Sequence, residues 1–269
     1  MGAFTNYATY KAAFESSQPL QLRGASGYNN VMLADSWSDS SYGTAPTTAV
    51  SLNKDSVSVA APPGLPGTLT KQFWLSGAQT ASEGANSQPT FFIVDMLSIQ
   101  GGLNGTVATA QTTNLPTAAL PRYTDGAGVC IGIRVHTSVG STATTLTCSY
   151  TNQAGTSGQT TPAVSFGGAN KGQAGIFIVL PLADGDTGVR SVQSVTLAAT
   201  TGTAGAFGVS LFKPLFMIPG THGIAGLSNI LESWMAGKMI DVHPDACLRY
   251  VTKWSYQNGS NCSLRLVEA

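Results

Sequence analysis

Apolar and polar residues alternate along most of this chain with a period of two, the spacing that turns one face of a strand to a core and the other away from it. Val129, Ile131, Ile133 and Val135 make one such face, with Cys130, Arg134 and His136 on the other; Leu146, Cys148 and Tyr150 make the next. The pattern predicts strands over 69–75, 90–99, 129–137, 144–150, 163–166, 175–182, 192–198 and 207–212, separated by turn-forming clusters such as Asn152-Gln153-Ala154-Gly155 and Thr201-Gly202-Thr203-Ala204-Gly205. A phase change between Val192 and Val195 predicts a β-bulge. About eight short strands with this punctuation predict a mainly β protein, an antiparallel β-sandwich of jelly-roll kind.

The flanks read differently. Tyr7, Tyr10 and Phe14 recur at helical spacing behind a Thr5 or Asn6 cap and before Pro19, which predicts a short amphipathic helix over 5–16. Residues 18–66 are rich in Ser, Asn, Gly and Pro, with apolar islands at Val31 to Leu33 and Val57 to Ala60. So long an irregular stretch predicts an extended arm held down by neighbouring surfaces. After Gly220, Leu227, Ile230, Leu231 and Trp234 fit one helical face that would end near Gly237. A terminal hairpin is then expected from 247–254 and 262–267, turning through Asn258-Gly259. The expected division is 1–66 as helix and arm, 67–218 as sandwich, and 219–269 as helix plus hairpin.

Composition changes the picture most through charge. Only 13 basic and 13 acidic residues occur among 269, a charged share of 10%, against roughly a quarter in ordinary soluble domains. Gly, Ala, Ser and Thr stand where surface charges would otherwise be, so much of the surface is expected to face other protein. The charges cancel and no Lys or Arg run occurs, which argues against direct contact with nucleic acid or an anionic membrane. The longest apolar run, Ile176 to Leu180, is far too short to span a bilayer. The first residues lack the basic and apolar regions of a secretory signal, and Asn6 stands where a myristoylation motif needs Ser or Thr. A cytoplasmic origin is expected, which leaves the sequons at Asn104, Asn258 and Asn261 without meaning.

The four cysteines, Cys130, Cys148, Cys247 and Cys262, show no CxxC spacing. A turn at Val139-Gly140 would pair Ile131 with Cys148 and Ile133 with Leu146, which puts Cys130 and Cys148 on opposite sides of one sheet. The terminal hairpin would put Cys262 near Ser255, away from Cys247. All four are expected to be reduced packing residues.

Chemistry-bearing residues are scattered. His136, His222 and His243 lie at no metal-ligand spacing, and no GxSxG elbow supplies a nucleophile. His136 shares the outer strand face with Arg134, and His243, between Asp241 and Pro244, reads as a turn histidine. Asp184-Gly185-Asp186-Thr187-Gly188 opens like a calcium loop but lacks the third acidic ligand and the distal Glu, so a hairpin turn is expected. Tyr7, Tyr10, Trp37, Trp74 and Trp254 could hold a sugar-stacking platform, although such aromatics are ordinary core and interface material. No catalytic, cofactor-binding or metal residue is nominated, and no enzymatic activity is expected.

Three runs carry a resemblance: Leu120-Pro121-Arg122-Tyr123-Thr124-Asp125-Gly126-Ala127-Gly128-Val129, Ser149-Tyr150-Thr151-Asn152-Gln153-Ala154-Gly155, and Asp186-Thr187-Gly188-Val189-Arg190-Ser191-Val192. The central hundred or so residues resemble uncharacterised structural proteins of tailed-bacteriophage virions. That resemblance implies a virion location after assembly in the host cytoplasm, with capsid or tail subunits and further copies of the chain as partners. The chain lacks the long spine helix of a major capsid protein and the helical stem of a portal. A capsid-associated decoration or cement subunit is therefore the first expectation, a tail, baseplate or fibre component the second, and a host-glycan binding module or depolymerase the third.

Overall fold

A computed structural model describes residues 8–9, 11–12, 19–24, 33–35, 46–53, 56, 73–82, 90–116, 118–219, 230–232, 240–253 and 260–268. Eight strands build the core: β5 (Thr90–Leu103), β6 (Gln111–Leu115), β7 (Cys130–Thr137), β8 (Ala143–Asn152), β10 (Val164–Gly167), β11 (Ile176–Leu180), β12 (Val189–Leu197) and β13 (Ala206–Pro219). They pair antiparallel as nested couples, β8 with β10, β7 with β11, β6 with β12 and β5 with β13. One sheet runs β5-β13-β7-β11 and the other β6-β12-β8-β10. A long antiparallel hairpin wrapped over two facing sheets is a jelly roll.

The alternation seen in the sequence seals it. Ile131, Ile133 and Val135 of β7, Leu146, Cys148 and Tyr150 of β8, Val192 and Val195 of β12, and Phe207 and Leu211 of β13 share one buried core. Phe166 and Phe207 meet there with ring centroids 4.9 Å apart. Each large apolar side chain fully buried in this way contributes about 1.5–3 kcal/mol. The bulge expected near Val192 is present, as a register shift between Val192 and Ser194.

Strand pairing departs from sequence expectation. β7 and β8 do not form a hairpin, since β7 pairs with β11 and β13 while β8 pairs with β12, β10 and the short β9 (Gln159–Thr160). Alternation fixes which face of a strand is buried and says nothing of its partner, so Ile131 and Cys148 share one core from the two facing sheets and are not neighbours along one sheet. The turn at Asp184-Gly185 likewise joins β11 to β12 across the two sheets and is no hairpin.

The first sheet continues beyond the roll. β2 (Leu33–Asp35) pairs with β11 and with β16 (Leu248–Lys253), and β16 pairs with the outer edge of β5, so the strand order returns on itself. β3 (Val50–Ser51) adds to the same edge of β5. A second apolar cluster, with Val94, Met96, Phe177, Phe212, Cys247 and Val251, lies on this side. A third sheet holds β1 (Pro19–Gly24), β17 (Ser260–Glu268), β4 (Phe73–Ser82), β14 (Ile230–Glu232) and β15 (Ile240–Val242).

These pairings correct three expectations about the flanks. Residues 18–66 are not an arm without secondary structure, because β1, β2 and β3 hydrogen-bond to strands of the same chain. Residues 230–232, expected inside a helix, form β14 against Gly77 to Gln79, since a short apolar run suits either structure and the open edge of β4 decides it. The two terminal strands do not pair with each other: β16 lies between β2 and β5, and β17 lies between β1 and β4. Cys262 is thereby opposite Leu22 and Thr80 and not near Ser255. Residues 8–9 and 11–12 are helical, within the first predicted helix, while Trp234 and Gly237 lie outside the described residues.

Candidate functional site: a stapled loop cluster over a buried ion pair

The three runs that carry the resemblance meet in space. They supply the loop from β6 to β7, the end of β8 and the loop from β11 to β12, all at one end of the roll. Gly128 donates its amide to Thr187 O at 2.9 Å, Val189 donates to Gly126 O at 3.0 Å, and Gln153 donates to Gly188 O at 3.0 Å. Side chains then staple the loops. The Gln153 side-chain oxygen accepts the amides of Thr187 and Gly188, each at 3.1 Å. Arg190 donates to Gln153 O at 2.7 and 2.9 Å and to Asp125 O at 3.2 Å. The Asp186 carboxylate accepts the Tyr150 hydroxyl at 2.5 Å and Asn152 Nδ2 at 2.7 Å, and Tyr150 in turn accepts the Ala183 amide at 2.9 Å. With its oxygens so engaged, Asp186 anchors a turn. Tyr150 is pushed up to about 12, by burial first and then by Asp186.

Arg122, from the first of these runs, forms with Asp95 of β5 a buried ion pair, 3% and 0% exposed. Arg122 Nε donates to Asp95 Oδ2 at 2.8 Å and Nη2 to Oδ1 at 2.6 Å, the forked geometry that suits a carboxylate. The remaining donors reach Leu52 O at 2.9 Å and Met96 O at 3.0 Å, while Cys247 N donates to Asp95 Oδ1 at 2.8 Å. The half-exposed Asp245 carboxylate stands 3.7 Å from Nη1. Burial pushes the Asp95 carboxyl above the ordinary carboxylate value, with Arg122 opposing. The Arg122 guanidinium is raised by the same contact, against its own desolvation. The bidentate geometry makes this an ion pair. Removing one partner of such a pair costs roughly 3–5 kcal/mol, because the other charge is left buried alone.

Of the other residues considered from sequence, Cys247 meets this site through its amide on Asp95 and His243 accepts the amide of Asp245 beside it, whereas His136 lies elsewhere. His136 is half-buried on the sheet face opposite the main core, over Gly208, and is pushed down to about 4 by burial and then by the charge of Arg134. His243 is exposed in a turn, its Nδ1 accepting the Asp245 amide at 3.0 Å. His222 lies outside the described residues. Cys130, Cys148 and Cys247 are free thiols, and burial pushes all three up, away from the reactive thiolate; the Cys262 side chain lies outside the described residues. So do Tyr7, Tyr10, Trp37, Trp254 and the Trp74 side chain. Among the described residues no group of three His, Cys, Asp or Glu could hold a metal ion, and no helix is long and apolar enough to cross a membrane. Sequence reading missed Asp95, whose place in the apolar stretch from Phe91 to Leu97 was the available signal: a lone carboxylate there needs a buried cation.

No family model and no curated protein matches the sequence. Among solved structures, the VP2 subviral particle of infectious bursal disease virus matches at 10% identity and a TM-score of 0.21, covering 94% of this chain and 80% of that one. The Gx strain of the same virus matches at 8% and 0.17 over 94% and 80%, and T=1 particles derived from the virus at 7% and 0.19 over 94% and 77%. Chain paths that agree so little carry no argument about function. The strand order does not depend on them.

Proposed function

We propose that this chain is a non-enzymatic structural protein of a virion, a capsid-associated decoration or cement subunit that stabilises a tailed-phage particle through contacts with capsid subunits and with its own copies. The observation that carries the reading is the pairing of a jelly roll with a chain of which only 10% of the residues are charged. In the four loops at one end of the roll, 104–110, 138–142, 168–175 and 198–205, Lys171 is the one charged side chain. A surface with so little charge gives weak repulsion between copies and suits permanent contact. A fold does not itself assign an activity, so the composition bears the weight and the roll supplies a rigid body on which it is displayed.

The test is to prepare particles with and without the chain, locate it in a low-resolution map, and measure the temperature at which particles disrupt. Density on the head and a lower disruption temperature in its absence are expected. Density at a tail tip with unchanged head stability would overturn the decoration reading and favour a tail or fibre component that binds host glycan.

A further inference from the structure

Two segments outside the eight-stranded roll run along the outer edge of β5, and one ion pair touches both. On the N-terminal side Leu52 donates its amide to Leu97 O at 2.8 Å and β3 pairs Val50 with Ile99. On the C-terminal side β16 pairs with Thr90 to Asp95, and Met96 donates its amide to Cys247 O at 2.9 Å. Arg122, from the loop between β6 and β7, holds Leu52 O while its partner Asp95 holds the Cys247 amide. The next residue, Tyr123, has φ +51°, a left-handed conformation that a bulky L residue adopts at a cost. It is held there by the Gly126 amide on its carbonyl at 2.7 Å and by Lys213 Nζ 5.4 Å over its ring. Backbone strain of this kind persists where the surroundings over-determine it, and it clusters at switch regions. The nested strand couples of the roll pass through neither segment.

We propose that the Asp95–Arg122 pair is a latch: closed, it holds segments 46–53 and 246–253 on β5, and open, it releases both together while the roll stays folded. Release bares the outer edge of β5, a row of backbone donors and acceptors able to pair with another strand.

The test is hydrogen exchange on the full chain read by mass spectrometry, comparing the native protein with the Asp95→Leu/Arg122→Met double variant, whose apolar pair leaves no buried charge. Exchange in both segments is expected to quicken by about tenfold or more and by similar factors, with β7, β8 and β12 unchanged within about twofold. Arg122→Lys keeps the charge beside Asp95 but loses the fork that also reaches Leu52 O, so it should free 46–53 more than 246–253. Faster exchange in only one segment of the double variant, no change in either, or loss of the whole fold would each overturn the latch.

Discussion

The two ends of the roll are closed by different chemistry. At one end Thr201 is the hub: its amide donates to Gly105 O at 2.8 Å, and its hydroxyl accepts Gly140 N at 3.1 Å and lies 2.9 Å from Gly105 O. Thr142 donates to Thr201 O at 3.1 Å and Gly105 to Ala204 O at 2.6 Å. Around the Thr201 hydroxyl the contacts are backbone against backbone, and at Gly105 and Gly140 they leave no room for a side chain. At the other end the loops also meet backbone to backbone, a Cβ on Gly188 lying 2.0 Å from Gly126 O, but there the side chains of Gln153, Asp186 and Arg190 add staples between loops. Added volume should therefore be felt most at the first end, and loss of particular polar side chains at the second.

The sharpest test of the first half of that comparison is Gly140→Ala. A Cβ at this position would lie 1.7 Å from Thr201 O, a rigid backbone atom, so the loops must separate. Overpacking of this severity costs about 3 kcal/mol, read as a lower thermal midpoint with an unchanged denaturant slope. A loss below about 1 kcal/mol would show that this end yields, and the comparison would fail.

Near the same end His136 supplies the pH response. Its value of about 4 in the fold, against 6.5 for the free side chain, means that the folded chain holds it neutral. The stability this represents is fully present above pH 6.5 and is lost as pH falls towards 4, on the order of 2 kcal/mol. Thermal midpoints measured between pH 7 and 4 should fall more steeply for the native chain than for His136→Gln. Parallel curves would remove His136 as the cause.

How far the sequence reaches is clear from particular elements. Ile131 to Val135 and Leu146 to Tyr150 alternate because each buries one face, and both lie in observed strands. β6, Gln111 to Leu115, escaped notice because its residues other than Leu115 are polar: as the last strand of its sheet it needs little apolar surface. Partners were hidden for a different reason. Apart from β8 and β10, this roll sends each of its strands to the sheet opposite the one before, so β7 and β8 have compatible patterns and never pair. At the site, the runs containing Arg122, Gln153 and Arg190 stood out as sequence, but that they form one cluster follows from the nested pairing, which joins residues 37 and 65 positions apart. Asp95 needed the fold to reveal its partner.

At the stapled end, Arg190→Ala should cost about 1.5 kcal/mol. It removes donors from Gln153 O and Asp125 O, but both carbonyls sit at an exposed rim where water can replace part of what is lost. Chemical denaturation of the variant beside Gln153→Ala and the double variant would show coupling, since both side chains act on one strand end. Strict additivity would mean that the staples act independently and that the end is not a unit.

The smallest effect separates the two causes behind a single kind of substitution. Gly158, in the loop between β8 and β9, has φ +76° and no heavy atom within 4 Å of a Cβ built on it. Gly158→Ala therefore meets no contact and is opposed only by the left-handed backbone, at about 1 kcal/mol. Asn tolerates that conformation better than Ala, because its short polar side chain can hydrogen-bond locally. Gly158→Asn should recover part of the loss, whereas Gly140→Asn should be no better than Gly140→Ala. Thermal midpoints of the four variants decide the matter: recovery at 140 would mean that backbone conformation and not the close approach to Thr201 demands glycine there, and the contrast between the two ends would lose its physical basis.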